Sequence, residues 1–569
     1  MNRQKLLSAV VSFLVIVLVI AGVGWIGWRL IAPQFENLRD RDNREIIPFH
    51  DHFDLDPAIP HIILEGQRLT AFTPLIHNDT AFLPVDFIRE FIDPFMFWDA
   101  GAQTLLVTTR EEMLAFRLGD VRNFEGRIFV PADKVMGLYP FSVVFHPEYN
   151  MVVVTDDRIP QRVANVSGIT PVRYRPDTTA PITTELQDFA MVTLFGGEGL
   201  WTRVRTGAGL LGYVQTASLG AALYTPPVPS RSWLFSSGYV DNVQPREPNW
   251  DGGKINMVWE LVYFQVTNET NMQTPLPESL TVISPTWFRF NAETMALDSV
   301  ACVDYIYWAW EQGVQVWPNV GDASAGPAGI KAILSNAAAR RRIVEQLVDY
   351  VYTLELEGLS INIEHIFEFH YGAYFVQFMR ELNIALGDKV ILLAAMKVCP
   401  FTNPHYRHDL IAKTIDFIAL MTFDEHHGHS DPGPTASLPW VERQVAEMLR
   451  RVPANQLLMG LPFYNRVWRT SVAEGTRRTS LVWDMDRAAR EFYNRGVSFE
   501  WDAAIGSYYA EFAEVVEGET LRHQLWKECA RSIGKKMQLY AVYNLAGVAG
   551  WMNGFTNQEV WDVLGTYFP

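Results

Sequence analysis

Between residues 254 and 564 the chain alternates eight strand-like apolar runs with amphipathic helical stretches: KINMVWELVYF, LTVISPTWF, VQVWPNV, GLSINIEHI, VILLAAMKV, FIALMTF, LLMGLPFY and VAGWMNGF. Each run is short, apolar and followed by a loop and a helical pattern, as parallel strands joined by helices require. Eight in succession fit an α/β fold, a closed (β/α)8 barrel over residues 251–569. A doubly wound open sheet is the alternative arrangement of the same units. The stretch from Trp468 to Met537 is too long for one loop and one helix, so an insertion beside the active face is expected before the last strand.

At 569 residues the chain has room for further domains ahead of the barrel. Residues 61–156 repeat themselves: TAFLPVDFIREF and LLVTT are echoed by RIFVPADKVMGL and MVVVTD, each copy reading as strand, short helix, strand. The pattern resembles the repeat domain named after the copper amine oxidase N-terminus, which implies a stalk; nothing in it reads as a copper site. Over residues 163–223, short β-rich runs between Gly and Pro, ending in LGYVQTASL, read as a small β-barrel. They resemble the bacterial Src-homology-3-like domains, for which wall binding and inert spacing are both open. Residues 224–250 are Pro-rich and read as a linker.

At the N-terminus, Arg3 and Lys5 precede an uncharged apolar run over residues 6–28. Spanning a bilayer takes about 20 such residues, whereas a cleaved signal peptide has an apolar core of about 7 to 15. The run is therefore read as an uncleaved transmembrane anchor, with Trp25 and Trp28 as interfacial residues. The expected location is the cell membrane, crossed once, with the C-terminal portion outside.

A net charge of −17 argues against nucleic acid as partner, because phosphate binding needs clustered Lys and Arg. Cys302, Cys399 and Cys529 are too few and too far apart for a disulfide framework or a metal-ligand set. The run from Asp424 to His429, DEHHGH, lacks the spacing of known metal sites, and His50 and His52 are weaker still. No cofactor, metal or phosphate-binding loop is expected. A sugar-like ligand fits better.

The fourth run carries the chemistry. In LEGLSINIEHI, strand alternation points Ser360, Asn362 and Glu364 the same way, into the upper end of the barrel where active sites form. A carboxylate in that row is costly unless used or paired. Here the chain resembles glycoside hydrolase family 18, particularly its spore-cortex and cell-wall branch, through Glu357, Gly358, Ile361 and Glu364, with SPTWF before that run and LMTFDEH, PGPTASLPWVE, GLPFY and LAGVAGW after it, all in family order. The resemblance implies that Glu364 protonates the leaving oxygen while the substrate's own 2-acetamido carbonyl attacks the anomeric carbon, an exception to the two-carboxylate scheme. It also implies that Met421, Phe423, Asp424 and Trp551 line the subsite, with Trp551 as its floor. Trp287, Phe288 and Tyr464 would complete an aromatic cleft.

Two positions depart from the family. Asn362 stands where it has Asp, and Phe423 where it has Tyr. The amide oxygen of Asn can accept the acetamide N–H but brings no charge, and Phe brings no hydroxyl. Losing one such preorganised group costs on the order of 100- to 1000-fold in rate. Two readings stay open: a membrane-anchored hydrolase of N-acetylglucosamine-containing glycans, peptidoglycan ahead of chitin, or a glycan-binding protein that has lost turnover.

Overall fold

A computed structural model describes residues 17, 21–23, 25, 43–48, 51, 55–56, 58–108, 113–117, 120–136, 138–139, 141–157, 160–225, 246–367, 369–397, 404–475 and 477–569. They form two compact units, one of residues 1–88 and 120–237, the other of residues 89–119 and 238–569. Among the described residues no helix is long and apolar enough to cross a membrane. The apolar run of residues 6–28 lies outside them, except for Val17, 21–23 and Trp25, which are helical.

In the first unit the two sequence copies meet strand to strand. Thr80–Pro84 pairs antiparallel with Arg127–Pro131, and each strand runs into a short helix, Val85–Phe91 or Ala132–Met136. Each helix opens directly after the Pro that ends its strand, Pro84 or Pro131. The second copy then continues as a hairpin, Phe141–His146 with Met151–Asp156, so a copy is strand, helix and two strands rather than one. Downstream, residues 162–224 build one seven-stranded sheet around Val166, Val172, Val192, Val204 and Val214.

The hairpin of the first copy belongs instead to the second unit. Its strands Phe97–Asp99, Thr104–Thr108 and Met113–Arg117 form their own sheet. Arg340, 1% exposed, donates to Asp99 at 2.6 Å and pairs with Glu381 at 3.3 Å, and Phe97 meets Tyr374 edge to face at 4.9 Å. The repeat is therefore not one self-contained block over 61–156.

The second unit is the barrel. Its strands, numbered here β1 to β8, are Ile255–Glu260, Val282–Pro285, Asn319–Gly321, Gly358–Asn362, Ile391–Lys397, Phe417–Met421, Leu457–Pro462 and Gly547–Trp551. All eight sequence runs supply a strand. Every neighbour pairing is parallel, and β8 bonds both β7 and β1, Gly547 opposing Leu458 on one side and Ile255 on the other. The third strand is split: Gln315–Val316 bonds β2, Asn319–Gly321 bonds β4, and Trp317–Pro318 separates them where Pro318 has no N–H to give. Alternation sends Ile255, Met257 and Trp259 of β1 and Leu393 and Ala395 of β5 into one central cluster. Gly460 on β7 has to be glycine, since a Cβ there would lie 2.6 Å from the Leu420 carbonyl and 2.8 Å from the Thr422 nitrogen.

The end of the Pro-rich stretch is not free linker. Arg246 pairs with buried Asp416 at 3.1 Å, and Trp250 packs edge to face on Trp317 at 5.5 Å, closing the lower end of the barrel. The insertion is a five-stranded sheet with one helix, Met485–Tyr493, capped by Asp484, whose side chain accepts from the Arg487 N–H. It spans Asn465 to Lys527. Residues 530–537, expected within it, belong to the barrel helix Ala530–Tyr543 that precedes β8. A buried pair, Lys536 to Glu528 at 2.9 Å, fixes that junction.

Candidate active site

The upper ends of β4, β5, β6 and β8 bring the candidate residues to one face. Asn362 is the last residue of β4, and Glu364 follows just beyond it with its side chain 40% exposed. The inward direction of this row is fixed by Ser360, whose hydroxyl meets the indole N–H of Trp259 at 3.4 Å inside the barrel. Asn362 Nδ2 donates to Glu364 Oε1 at 3.2 Å. A carboxylate only accepts, so that contact assigns the amide and leaves Asn362 Oδ1 buried without a hydrogen-bond partner among the described residues.

Asp322, which follows β3, holds the Glu364 backbone. Its Oδ2 accepts the N–H of Glu364 at 3.0 Å and of His365 at 2.9 Å, and lies 3.0 Å from His365 Nδ1. On the other side, Lys397 at the end of β5 places Nζ 3.6 Å from Glu364 Oε2. The Lys397 carbonyl contacts the ring of His408 at 3.1 Å, and burial lowers the pKa of that imidazole to about 4. Tyr406, facing Asp322 and Glu364, has its phenol pKa raised, first by burial and then by those two charges.

Beyond β6, Asp424 sits in the left-handed region, φ 61°. Tyr464 donates to its Oδ1 at 2.5 Å and Arg466 at 2.9 Å. Burial raises the Tyr464 phenol well above its ordinary range, with the Asp424 charge adding to it, so this hydroxyl is a fixed donor. Trp551 ends β8 partly buried, its ring 6.2 Å from that of Trp259. Glu260, at the end of β1, faces the helix layer, where Asn553 Nδ2 donates to it at 2.6 Å and braces the turn after Trp551; burial raises its pKa.

Asn362, Met421 and Trp551 end β4, β6 and β8, and Glu364 and Asp424 follow the first two strands by two and three residues. Four aromatic positions differ. Trp287 is 0% exposed, its N–H bonded to Asn268 at 2.8 Å, so it is core between helices and not a cleft wall; Phe288 is equally buried. Tyr464 is 3% exposed and spends its hydroxyl on Asp424, so it supports that residue instead of offering a stacking face. Phe423 is 9% exposed and packs edge-on against Trp259 at 6.4 Å, part of the barrel core beneath the site. Asp322, Lys397 and Arg466 were not picked out from the sequence. Each ends or closely follows a strand run, the one signal that could have found them.

The DEHHGH loop makes local contacts. Glu425 accepts from the Ser437 N–H at 2.7 Å, and His426 Nδ1 meets the Asp431 carbonyl at 2.9 Å. Among the described residues no three His, Cys, Asp or Glu side chains gather as a metal site.

The model of the glycosyl hydrolases family 18 matches residues 265–555, half of the chain and nearly all of this barrel. The chain belongs to that family. Its glycosidase domain is similar to the Bacillus subtilis strain 168 protein YdhD, named for a sporulation-specific glycosylase, at 24% identity over 43% of this chain and 60% of that one. It is also similar to the Bacillus subtilis cortical fragment-lytic enzyme, at 23% identity over 42% of this chain and 56% of the relative. The chain thus spans little more than half the length of these relatives. Among solved structures, the Bacillus cereus spore cortex-lytic enzyme SleL aligns with a TM-score of 0.49 and 14% identity, over 63% of this chain and 79% of that one.

Proposed function

We propose that this family 18 chain hydrolyses β-1,4-linked, N-acetylglucosamine-containing glycans by substrate-assisted, retaining chemistry, with peptidoglycan ahead of chitin. The observation that carries the reading is the pair at the top of β4. Glu364 is open to a ligand, and beside it a buried amide oxygen of Asn362 lacks a donor that an acetamide N–H would supply. In the first step Glu364 gives its proton to the glycosidic oxygen, and the acetamide carbonyl oxygen attacks the anomeric carbon as the C–O bond breaks. Water then opens the resulting oxazolinium ring while Glu364 takes a proton back, which restores the starting configuration. Asp424 supplies negative charge next to Phe423, and Trp551 offers the sugar a flat apolar floor.

A binding protein without turnover is the second reading, and Phe423 favours it: a core phenyl ring stands where the family's hydroxyl would polarise the acetamide. Incubating the full chain with chitin oligomers and with peptidoglycan, followed by mass spectrometry of the released fragments, separates the two. New reducing ends support hydrolysis. Binding without fragments replaces it with the second reading.

The remaining parts fit a surface protein. Residues 6–28 are the proposed single-pass anchor, residues 61–88 and 120–156 a stalk, and residues 163–223 a wall-facing Src-homology-3-like module, with the barrel outside the cell. Protease treatment of intact cells should remove the barrel and leave a short membrane-bound fragment. A mature protein beginning after residue 28 would contradict the anchor.

A further inference from the structure

Among the described residues two cations, Arg466 and Lys397, stand at this site, and they are held very differently. Arg466 is 11% exposed, hydrogen-bonded to Asp424 at 2.9 Å and to Ser480 at 3.3 Å, and lies over the rings of Tyr464 and Trp468. Asp424 and Ser480 fix its head group, which positions Asp424 in turn. Lys397 has a fixed backbone and a loosely held head group. Its ammonium lies 3.6 Å from Glu364 Oε2, longer than a hydrogen bond, with 32% of the side chain exposed and the exposed ring of Phe367 5.8 Å away. Asp322, another acid nearby, already accepts from the Glu364 and His365 backbone and faces the His365 ring.

We infer that Lys397 is a specificity residue that takes a free carboxylate on the glycan, such as the 3-O-lactyl group of a muramic acid residue. The inference rests on the hydrolase reading only for where the sugar lies. A chain of net charge −17 repels an acidic polymer at long range, but that field is screened within about 8 Å at physiological salt, so a local cation at the contact decides recognition. An ammonium beyond hydrogen-bond reach of its present partner exchanges partners at little cost, unlike the fixed guanidinium of Arg466. The exchange also serves the reaction. Both Glu364 oxygens now face donors, Asn362 and Lys397, and a substrate anion that draws Lys397 away leaves Oε2 able to carry the proton to be donated.

The test uses the full chain and three oligosaccharides of equal length: one with free lactyl carboxylates, the same one as its methyl ester, and a lactyl-free N-acetylglucosamine oligomer. The wild-type protein should favour the free acid over the ester by about tenfold or more in kcat/KM. Lys397→Met should bring that ratio close to one, and Lys397→Arg should keep most of it. A merely structural lysine would lower all three substrates together and leave the ratio alone, and that result overturns the inference, as does an unmodified protein that treats acid and ester alike. If nothing is turned over, the same ratio is read from dissociation constants by calorimetry. A charge preference lost in Lys397→Met then upholds the inference while hydrolysis fails, and absence of binding to all three refutes it.

Discussion

Replacing Asp322 by Ala tests how the fold holds Glu364. The Asp322 side chain is 3% exposed, and one oxygen accepts both the Glu364 and His365 N–H groups. Removing it strands two part-buried backbone donors, at about 1–3 kcal/mol each, and leaves His365 without its carboxylate. Part of that cost appears as lost stability and part as movement of the segment carrying Glu364. A displacement near 1 Å is enough for a rate loss on the order of 100-fold. Asp322→Asn keeps an oxygen of the same reach, so both backbone bonds survive and only the charge facing His365 is lost. The expected order is therefore wild type, then Asn slightly below it, then Ala far below both in hydrolysis rate, with Ala also lower in urea midpoint. Wild-type rate and midpoint in Asp322→Ala would refute the claim that this carboxylate positions Glu364.

Arg340→Met should destabilise the second unit by about 3–5 kcal/mol in urea unfolding, because it leaves Asp99, 0% exposed, and Glu381 without their cation; Asp99→Asn with Arg340→Met together should recover part of the loss. His408 predicts a pH dependence. The unfolded chain protonates near pH 6.5 and the folded one only near pH 4, so its contribution is complete above 6.5 and is lost as pH falls toward 4, about 3 kcal/mol in all. His408→Gln should flatten the slope of the urea midpoint between pH 7 and 4.5. Trp551→Ala should weaken glycan affinity in calorimetry whether or not the protein turns substrate over, since the stacking face is lost in either case; unchanged affinity in a folded variant would put the sugar elsewhere.

The barrel was legible because its strands are buried on both sides and read as apolar runs that recur eight times with helical stretches between them. GLSINIEHI shows how far that goes: alternation alone aims Ser360 and Asn362 inward, and Trp259 meets Ser360 there. The aromatics were legible only as residue types. Trp287 and Trp551 each follow or end a strand run, yet one is sealed against Asn268 and the other stays partly exposed at the end of β8, a difference set by helix 265–271, whose packing no local pattern encodes. Asp322, Lys397 and Arg466 escaped for a related reason. They act through residues distant in sequence, 42, 33 and 42 positions away, and single-sequence reading has no view of such pairs. The hairpin of residues 97–117 was assigned to the repeat it came from, because sequence similarity between copies says nothing of which surface each one buries.

The most direct test of the central claim compares the wild-type chain, Glu364→Gln and the double variant Asn362→Asp with Phe423→Tyr on one N-acetylglucosamine-containing oligosaccharide. The amide of Gln cannot donate the proton, so Glu364→Gln should abolish hydrolysis while the glycan still binds. The double variant returns one charge and one hydroxyl to the acetamide, and should raise the rate more than about tenfold, roughly 1.4 kcal/mol of barrier. Residual hydrolysis in Glu364→Gln at the wild-type rate, or no turnover in either the wild type or the double variant despite binding, would contradict the account.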